Sequence, residues 1–327
     1  MKSAPRKKNK GLLSLVVPVY KEEGNILPFL ARTLPILRST GMDYEVIFCM
    51  DPSPDATEER IRQCIAKDKR IGLMVFSRRF GQPAATLAGL RASRGDAVAV
   101  IDVDMQDPPE LLVEMVKRWR GGADVVAARR RSRQGETWFK KRISTFGYWL
   151  INTASDVSIP RETGDFRLMS RRVVDRVTAL REKHGFLRGL VAFVGFRQEF
   201  VDFDRAERAD GEGKYNRYTG SLRIGFNGLV GFSNFLLNGT LAVGLIVAGL
   251  SFLVATFVLV TKLFFNNAYP MGVPTTIILV LFMGGVQLVS IGILGQYIGR
   301  IYDEVKDRPV SIVDRAVNVD LKERARG

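Results

Sequence analysis

A doubly wound α/β domain joined to two membrane-crossing helices is the architecture this sequence predicts, and three observations predict it. Apolar, β-prone runs alternate with helix-like segments over the first 130 residues. Between Arg223 and Arg300 the only charge is Lys262, and that interval holds two long apolar runs. Acids also gather where the β-prone runs end, most densely in AVAVIDVDMQDPPE at 97–110.

Taken in order, LLSLVVPVY (12–20), YEVIFCM (44–50), IGLMVFS (71–77), AVAVIDV (97–103) and ADVVAA (123–128) read as strands. Between them, GNILPFLARTLPILRS (24–39), DATEERIRQCIAKD (55–68) and QPAATLAGLRASRG (82–95) read as helices. Such alternation implies a largely parallel sheet that binds ligands at the carboxyl ends of its strands. Pro18 to Glu22, Asp51 to Asp55 and Asp102 to Asp107 all fall at such ends, as one shared site requires.

The texture then changes. Phe139, Ile143, Phe146 and Leu150 fall on one helical face, interrupted by Lys140, Lys141 and Arg142 and flanked by Trp138, Tyr148 and Trp149. Periodicity alone fits a helix packed on the core equally well. The Lys, Arg and Trp content favours a helix lying in a membrane surface.

Leu236–Val260 and Val273–Ile298 each exceed the roughly 20 residues that cross a bilayer as a helix, and neither shows the polar stripe of a soluble helix. Arg217 and Arg223 precede the first run and Arg300, Lys306 and Arg308 follow the second, which predicts both termini in the cytoplasm of a multi-pass inner-membrane protein. Lys262 sits near the end of the first run and can snorkel. The run after the basic opening MKSAPRKKNK is too short for a signal peptide and reads as a strand. Cys49 and Cys64 are too few for a disulfide scaffold. The net charge of +15 fits an anionic leaflet and a phosphorylated ligand, and without an RNA-binding aromatic motif or zinc-finger spacing no nucleic-acid partner is expected. The expected divisions are an α/β core at 1–135, an acceptor-side part with interfacial helices at 136–228, two spans within 229–302 (about 234–262 and 273–299) and a cytoplasmic tail at 303–327.

Acids grouped at a strand end repel one another unless a cation joins them. If the strand at 97–103 runs on, Asp102, Asp104 and Gln106 share one face and Val103 and Met105 the other. Hard oxygen ligands so grouped suit Mg²⁺ or Mn²⁺. The competing reading is an acidic turn that caps the helix beginning PPELLVEMVKRW, and Asp107 fits that role best.

IDVDMQDPPE resembles the D-x-D-x-Q-D-P-P-E signature of polyprenyl-phosphate glycosyltransferases, membrane-associated inverting enzymes that use nucleotide-sugar donors. LVVPVYKEEGNI resembles their V-P-x-Y-N-E-x-x-N opening, SRRFG their S-R-N-F-G, TGDFRLMSR their G-D-F-R-L and RAERADGEGKYN their R-x-x-R-x-x-G-E-S-K-Y. With GRIYDEVKDRP after the second span, these matches run in order from about 15 to 310, and the bacterial two-span undecaprenyl-phosphate glucosyltransferases show the pattern most fully. The resemblance implies a nucleotide-sugar-binding domain of GT-A type and transfer of a sugar, glucose from UDP-glucose first among the donors, to a polyprenyl phosphate. GDP-mannose, a UDP-N-acetylhexosamine or a UDP-aminoarabinose derivative stays open as donor, as does a non-catalytic membrane adapter.

By the same resemblance Asp102, Asp104 and Gln106 hold Mg²⁺ or Mn²⁺, and Asp165, Asp104 and Arg208 are the catalytic candidates. Pro18, Tyr20, Glu22, Asp51, Asp102, Arg205 and Lys214 are expected around the donor, and Arg208, Arg130, Lys141 and Arg142 around the acceptor phosphate. For Asp165 a structural pair with Arg167 competes with a role at the reacting centre. A homo-oligomer is expected, and His184 is expected to pack or face solvent. Lys21, Met50, Pro52 and Gly213 depart from the family pattern, the first three where base and ribose are read.

Overall fold

The computed structural model describes residues 11–131, 160, 163–180, 182, 187–204, 235–265 and 272–321. They form two units, one comprising 1–148, 157–223 and 309–327 and the other 149–156 and 224–308.

In the first unit, β1 (Leu12–Val19), β2 (Asp43–Met50), β3 (Ile71–Phe76) and β4 (Ala97–Val100) are parallel, and the chain moves outward from β1 to β3 before crossing back to β4. The helices α1 (Ile26–Ser39), α2 (Thr57–Lys67) and α4 (Leu111–Arg120) contribute Phe29, Leu37, Ile61, Leu112 and Met115 to one core with Leu13, Leu15, Val17, Val46 and Phe48. α3 (Gln82–Ala92) lies close on β1 and β2 because Gly89 has no side chain. A Cβ there would fall 2.3 Å from Val16 Cγ1 and 2.6 Å from Cys49 Sγ.

The sheet is wider and more mixed than the repeating pattern predicts. Its eight strands lie in the order β7-β5-β6-β4-β1-β2-β3-β8. Here β5 is Val125–Arg130, β6 is Thr163–Ser170, β7 is Gln198–Phe203 and β8 is Val313–Val317. β6 runs antiparallel between β4 and β5, followed by α5 (Arg171–Ala179) and α6 (Leu187–Phe193). β8 comes from the segment read in the sequence as a tail, and it pairs antiparallel with β3. Gly72 permits that approach, since a Cβ would meet Val319 Cγ2 at 2.6 Å. Arg315 adds a two-pronged contact to Glu58, at 3.2 Å and 2.7 Å, and its charge holds the Glu58 carboxyl below its ordinary range.

At the amino ends of the strands, buried Glu45 accepts from Ser14 Oγ at 2.6 Å, Arg94 N at 2.8 Å and the Arg94 guanidinium at 3.0 Å and 2.7 Å. Arg171 donates to Gly95 O in the next turn of chain, and Asp96 accepts from Leu12 N. Each buried polar atom named here has a fixed counterpart, which is what burial demands.

The second unit contains α7 (Phe235–Phe265) and α8 (Val273–Val305). Both are long and apolar enough to cross a membrane, through Leu237–Val254 in α7 and Phe282–Val305 in α8. At about 1.5 Å per residue, helices of 31 and 33 residues exceed the ~30 Å of a hydrocarbon core, so each has turns to spare beyond it.

Candidate active site

The chain reverses its direction of travel across the sheet between β1 and β4, which is where open α/β sheets bind ligands. Pro18 helps to open that crevice. Val16 O accepts from Ile101 N, on the β4 side, and Val19 O accepts from Asp51 N, on the β2 side. Pro18 therefore turns its ring nitrogen towards β4, whose ladder with β1 has already ended at Val100. A proline inside a central strand is tolerated here because no partner is left for its missing N–H.

The acids that follow β4 do not continue as a strand. β4 stops at Val100, residues 103–107 turn, and Met105 takes φ +56°. The expected alternation of Asp102, Asp104 and Gln106 on one strand face is thus replaced by a turn, in which Gln106 N donates to Asp104 Oδ1 at 3.2 Å. Val103 still packs into the core and Met105 against it. Asp107 also leaves its expected role. The N-cap of α4 is Glu110, with no side-chain cap, and Asp107 is buried with a carboxylate oxygen 3.7 Å from Arg130 Nη2. Asp102 Oδ1 accepts from Gln82 Nε2 at 2.7 Å, tying the turn to the start of α3. Burial, together with the carboxylates of Asp165, Asp104 and Asp107, pushes the Asp102 pKa up to about 8, against the pull of Arg130.

The far wall follows from the antiparallel β6. Val100 pairs with Arg167, so Asp165, two residues earlier, reaches the same edge as Asp102, two residues later. Asp165 Oδ1 accepts from Arg188 Nε of α6 at 3.0 Å, so the hydrogen-bonded pair is with Arg188 rather than with Arg167, the partner in the competing structural reading. Arg167 is buried and donates to Gly164 O at 2.8 Å. Burial alone would raise the pKa of Asp165; the Arg188, Arg167 and Arg130 guanidinium groups outweigh it and hold the carboxyl below its ordinary range. Arg188 was missed in the sequence. Its only signal there is a lone charge in the apolar stretch LRGLVAF.

Over β1 to β3 the loops are fastened to one another. Asp51 is buried, and its two oxygens accept from Phe80 N and Gly81 N, each at 2.9 Å. Lys21 N donates to Ser53 Oγ and Glu22 N to Thr57 Oγ1, and Glu22 Oε2 accepts from Asn25 Nδ2. Tyr20, half-buried, closes this end. Lys141, Arg142, His184, Arg205, Arg208 and Lys214 lie outside the described residues, as does the amphipathic segment 138–150.

Among the described residues no three Asp, Glu, His or Cys side chains gather as a metal-binding group. Crowded carboxylates with one raised pKa nevertheless form a donor set that a hard cation would relieve, with ligand phosphates completing its shell. The residues present fit Mg²⁺ or Mn²⁺ on those terms.

A switch-point crevice in which carboxylates and guanidinium groups are interleaved suits a ligand rich in phosphate. The chain belongs to glycosyl transferase family 2, whose sequence profile matches residues 14–178, and is a glycosyltransferase. It is 41% identical to the uncharacterized glycosyltransferase YkcC of Bacillus subtilis over 94% of this chain and 95% of that one. It is 39% identical to the bactoprenol glucosyl transferase of Shigella phage SfII, over 93% and 98%. A solved mannosyltransferase from Pyrobaculum calidifontis, in complex with GDP-Man and Mn²⁺, is 15% identical with a TM-score of 0.45, covering 93% of this chain and 90% of that one.

Proposed function

We propose that the protein transfers glucose from UDP-glucose to a polyprenyl phosphate at the cytoplasmic face of the inner membrane. The observation that carries this reading is the meeting of Asp102, Asp104, Asp107 and Asp165 with Arg130, Arg167 and Arg188 at the carboxyl edge of the sheet. Two helices long and apolar enough to span a bilayer, and full-length relatives named bactoprenol glucosyl transferase, support the lipid acceptor.

The chemistry divides among the chain's own groups. Asp102, Asp104 and Gln106 would hold Mg²⁺ or Mn²⁺, which when bound offsets negative charge growing on the departing diphosphate. A lipid phosphate is already largely anionic near neutral pH, so no strong base is needed to prepare it. Asp165, held ionised by its guanidinium neighbours, acts as an orienting anion: it fixes Arg188 and keeps three positive groups facing one centre. Arg130 supplies cationic charge beside Asp107, and Arg208, Lys141 and Arg142 are assigned to the acceptor phosphate, with Arg205 and Lys214 on the donor side. Planar guanidinium forks match phosphate oxygens in pairs. Donor-side 1–135, acceptor-side 136–228 and membrane 229–302 divisions follow, with β8 returning to the first.

The test is a panel of UDP- and GDP-sugars given to inverted and right-side-out membrane vesicles with undecaprenyl phosphate, read by lipid extraction. Labelled lipid is expected with UDP-glucose, in inverted vesicles only, and is abolished by excess chelator. Transfer from another donor would move the sugar assignment. Full activity in chelator would remove the cation, and equal activity in sealed right-side-out vesicles would reverse the orientation.

A further inference from the structure

The stretch SRRFG at 77–81 places Arg79 where the family pattern S-R-N-F-G has Asn. The site already described gives this residue no role. Its guanidinium carbon lies 4.2 Å from the centroid of the Tyr20 ring, which is stacking distance for a planar cation on an aromatic face. Both members of the pair are held by pinned backbone. Arg79 directly precedes the Phe80–Gly81 turn clasped by Asp51, and Tyr20 directly precedes Lys21, whose N–H is bound by Ser53. Gly81, at φ +91°, makes that turn accessible at little steric cost.

Arg79 is exposed, and among the described residues its guanidinium has no carboxylate partner. Arg78, next to it, lies on Phe80 instead, at 4.0 Å from the ring. The location is set by topology: the acid turn follows β4, while Tyr20, Asp51 and Arg79 follow β1, β2 and β3 on the other side of the crevice. A nucleoside diphosphate with its phosphates at the acids extends its base towards this second group.

We propose that Arg79 is a donor-recognition residue, its guanidinium forming the stacking plane between the Tyr20 ring and the base of the nucleoside diphosphate. The proposal rests on the donor reading above and deepens it. One face of the guanidinium lies on Tyr20 and the other offers a flat, weakly hydrated cation to a base. Asparagine in this position offers a shorter, smaller plane and no charge.

The experiment is calorimetric titration of the full chain in detergent with UDP and, separately, inorganic pyrophosphate, both with Mn²⁺, for wild type, Arg79→Asn, Arg79→Lys and Tyr20→Ala. Arg79→Asn is expected to weaken UDP about tenfold, the scale of one lost base stack. Pyrophosphate affinity should hold within twofold to threefold, Arg79→Lys should recover only part of the loss, and Tyr20→Ala combined with Arg79→Asn should cost less than the two separately. Equal weakening of UDP and pyrophosphate would assign Arg79 to the phosphates and overturn the proposal, as would unchanged or tighter UDP binding. A wild type that does not bind UDP overturns the donor reading itself, and this proposal with it.

Discussion

Glu45 and Asp102 stand at opposite edges of the same sheet, the first carboxylate buried and the second half-buried. Glu45 receives a hydroxyl, a backbone N–H and a two-pronged guanidinium. Asp102 receives one amide N–H from Gln82 and otherwise faces the carboxylates of Asp165, Asp104 and Asp107, with Arg130 as counterweight. The amino edge therefore sets its acid among opposite charge, whereas the acid turn sets Asp102 among like charges. The sign of the neighbours is what separates the two.

The largest test of that contrast exchanges stability for turnover. Asp104→Asn should lower transfer by on the order of 10²–10³-fold, the scale of removing one group that supports transition-state charge, and leave the melting temperature unchanged or higher. Glu45→Ala should do the reverse, costing about 2–4 kcal/mol of stability through lost charge-assisted hydrogen bonds while each folded molecule keeps its turnover. Measuring melting and lipid glycosylation on both variants decides it. Unfolding of Asp104→Asn, or full stability of Glu45→Ala, would erase the distinction.

A second test uses pH. The folded pKa of Asp102, about 8, lies above the ~3.9 of an unfolded aspartate, so the folded state binds the extra proton between those values. Its contribution to stability is complete below about pH 4 and is lost as pH rises towards 8. Thermal unfolding in chelator should therefore show stability falling over that window, less steeply in Asp102→Asn, and Mn²⁺ should oppose the fall at the upper end. The same slope in both proteins would mean that Asp102 is not the group responsible.

The smallest effect lies in the fastened loops. Lys21 adopts φ +57°, a region asparagine tolerates better than lysine, and the family pattern has Asn at this position. Lys21→Asn should stabilise the domain by about 0.5–1 kcal/mol. Destabilisation would show that the lysine side chain contributes more than its backbone conformation costs.

How much of this was legible depended on what kind of pattern each part writes. The parallel strands and α1 to α4 announce themselves because burial on both faces demands continuous apolar runs, as in Leu12–Val19 and Ile71–Phe76. β6 was harder: TGDFRLMS mixes charge with apolar residues, since Asp165 is held by an ion pair with Arg188 and Arg167 by a backbone carbonyl, contacts that a one-dimensional pattern does not display. β8, in VDRAV, is a short edge strand with no period to recognise, and its partner lies some 240 residues earlier in the chain. At the acid motif the expected strand alternation gives way to a turn. Strand alternation cannot foresee Met105 in a left-handed conformation, which bends the acids into a turn. Arg188 escaped notice because it meets Asp165 only through the packing of α6 near β6.

The place of β8 in the chain imposes an order of manufacture. The outer edge of the catalytic sheet, at β3, is finished by residues 313–317, and both long apolar helices are synthesised before them. A nascent chain therefore exposes the open hydrogen-bonding rim of β3 until the last stretch leaves the ribosome, and an open rim invites pairing with foreign strands. Completion of the enzyme's scaffold thus follows delivery of its two apolar helices. A product truncated after α8 would carry every residue named in the catalytic crevice and still present that unfinished rim.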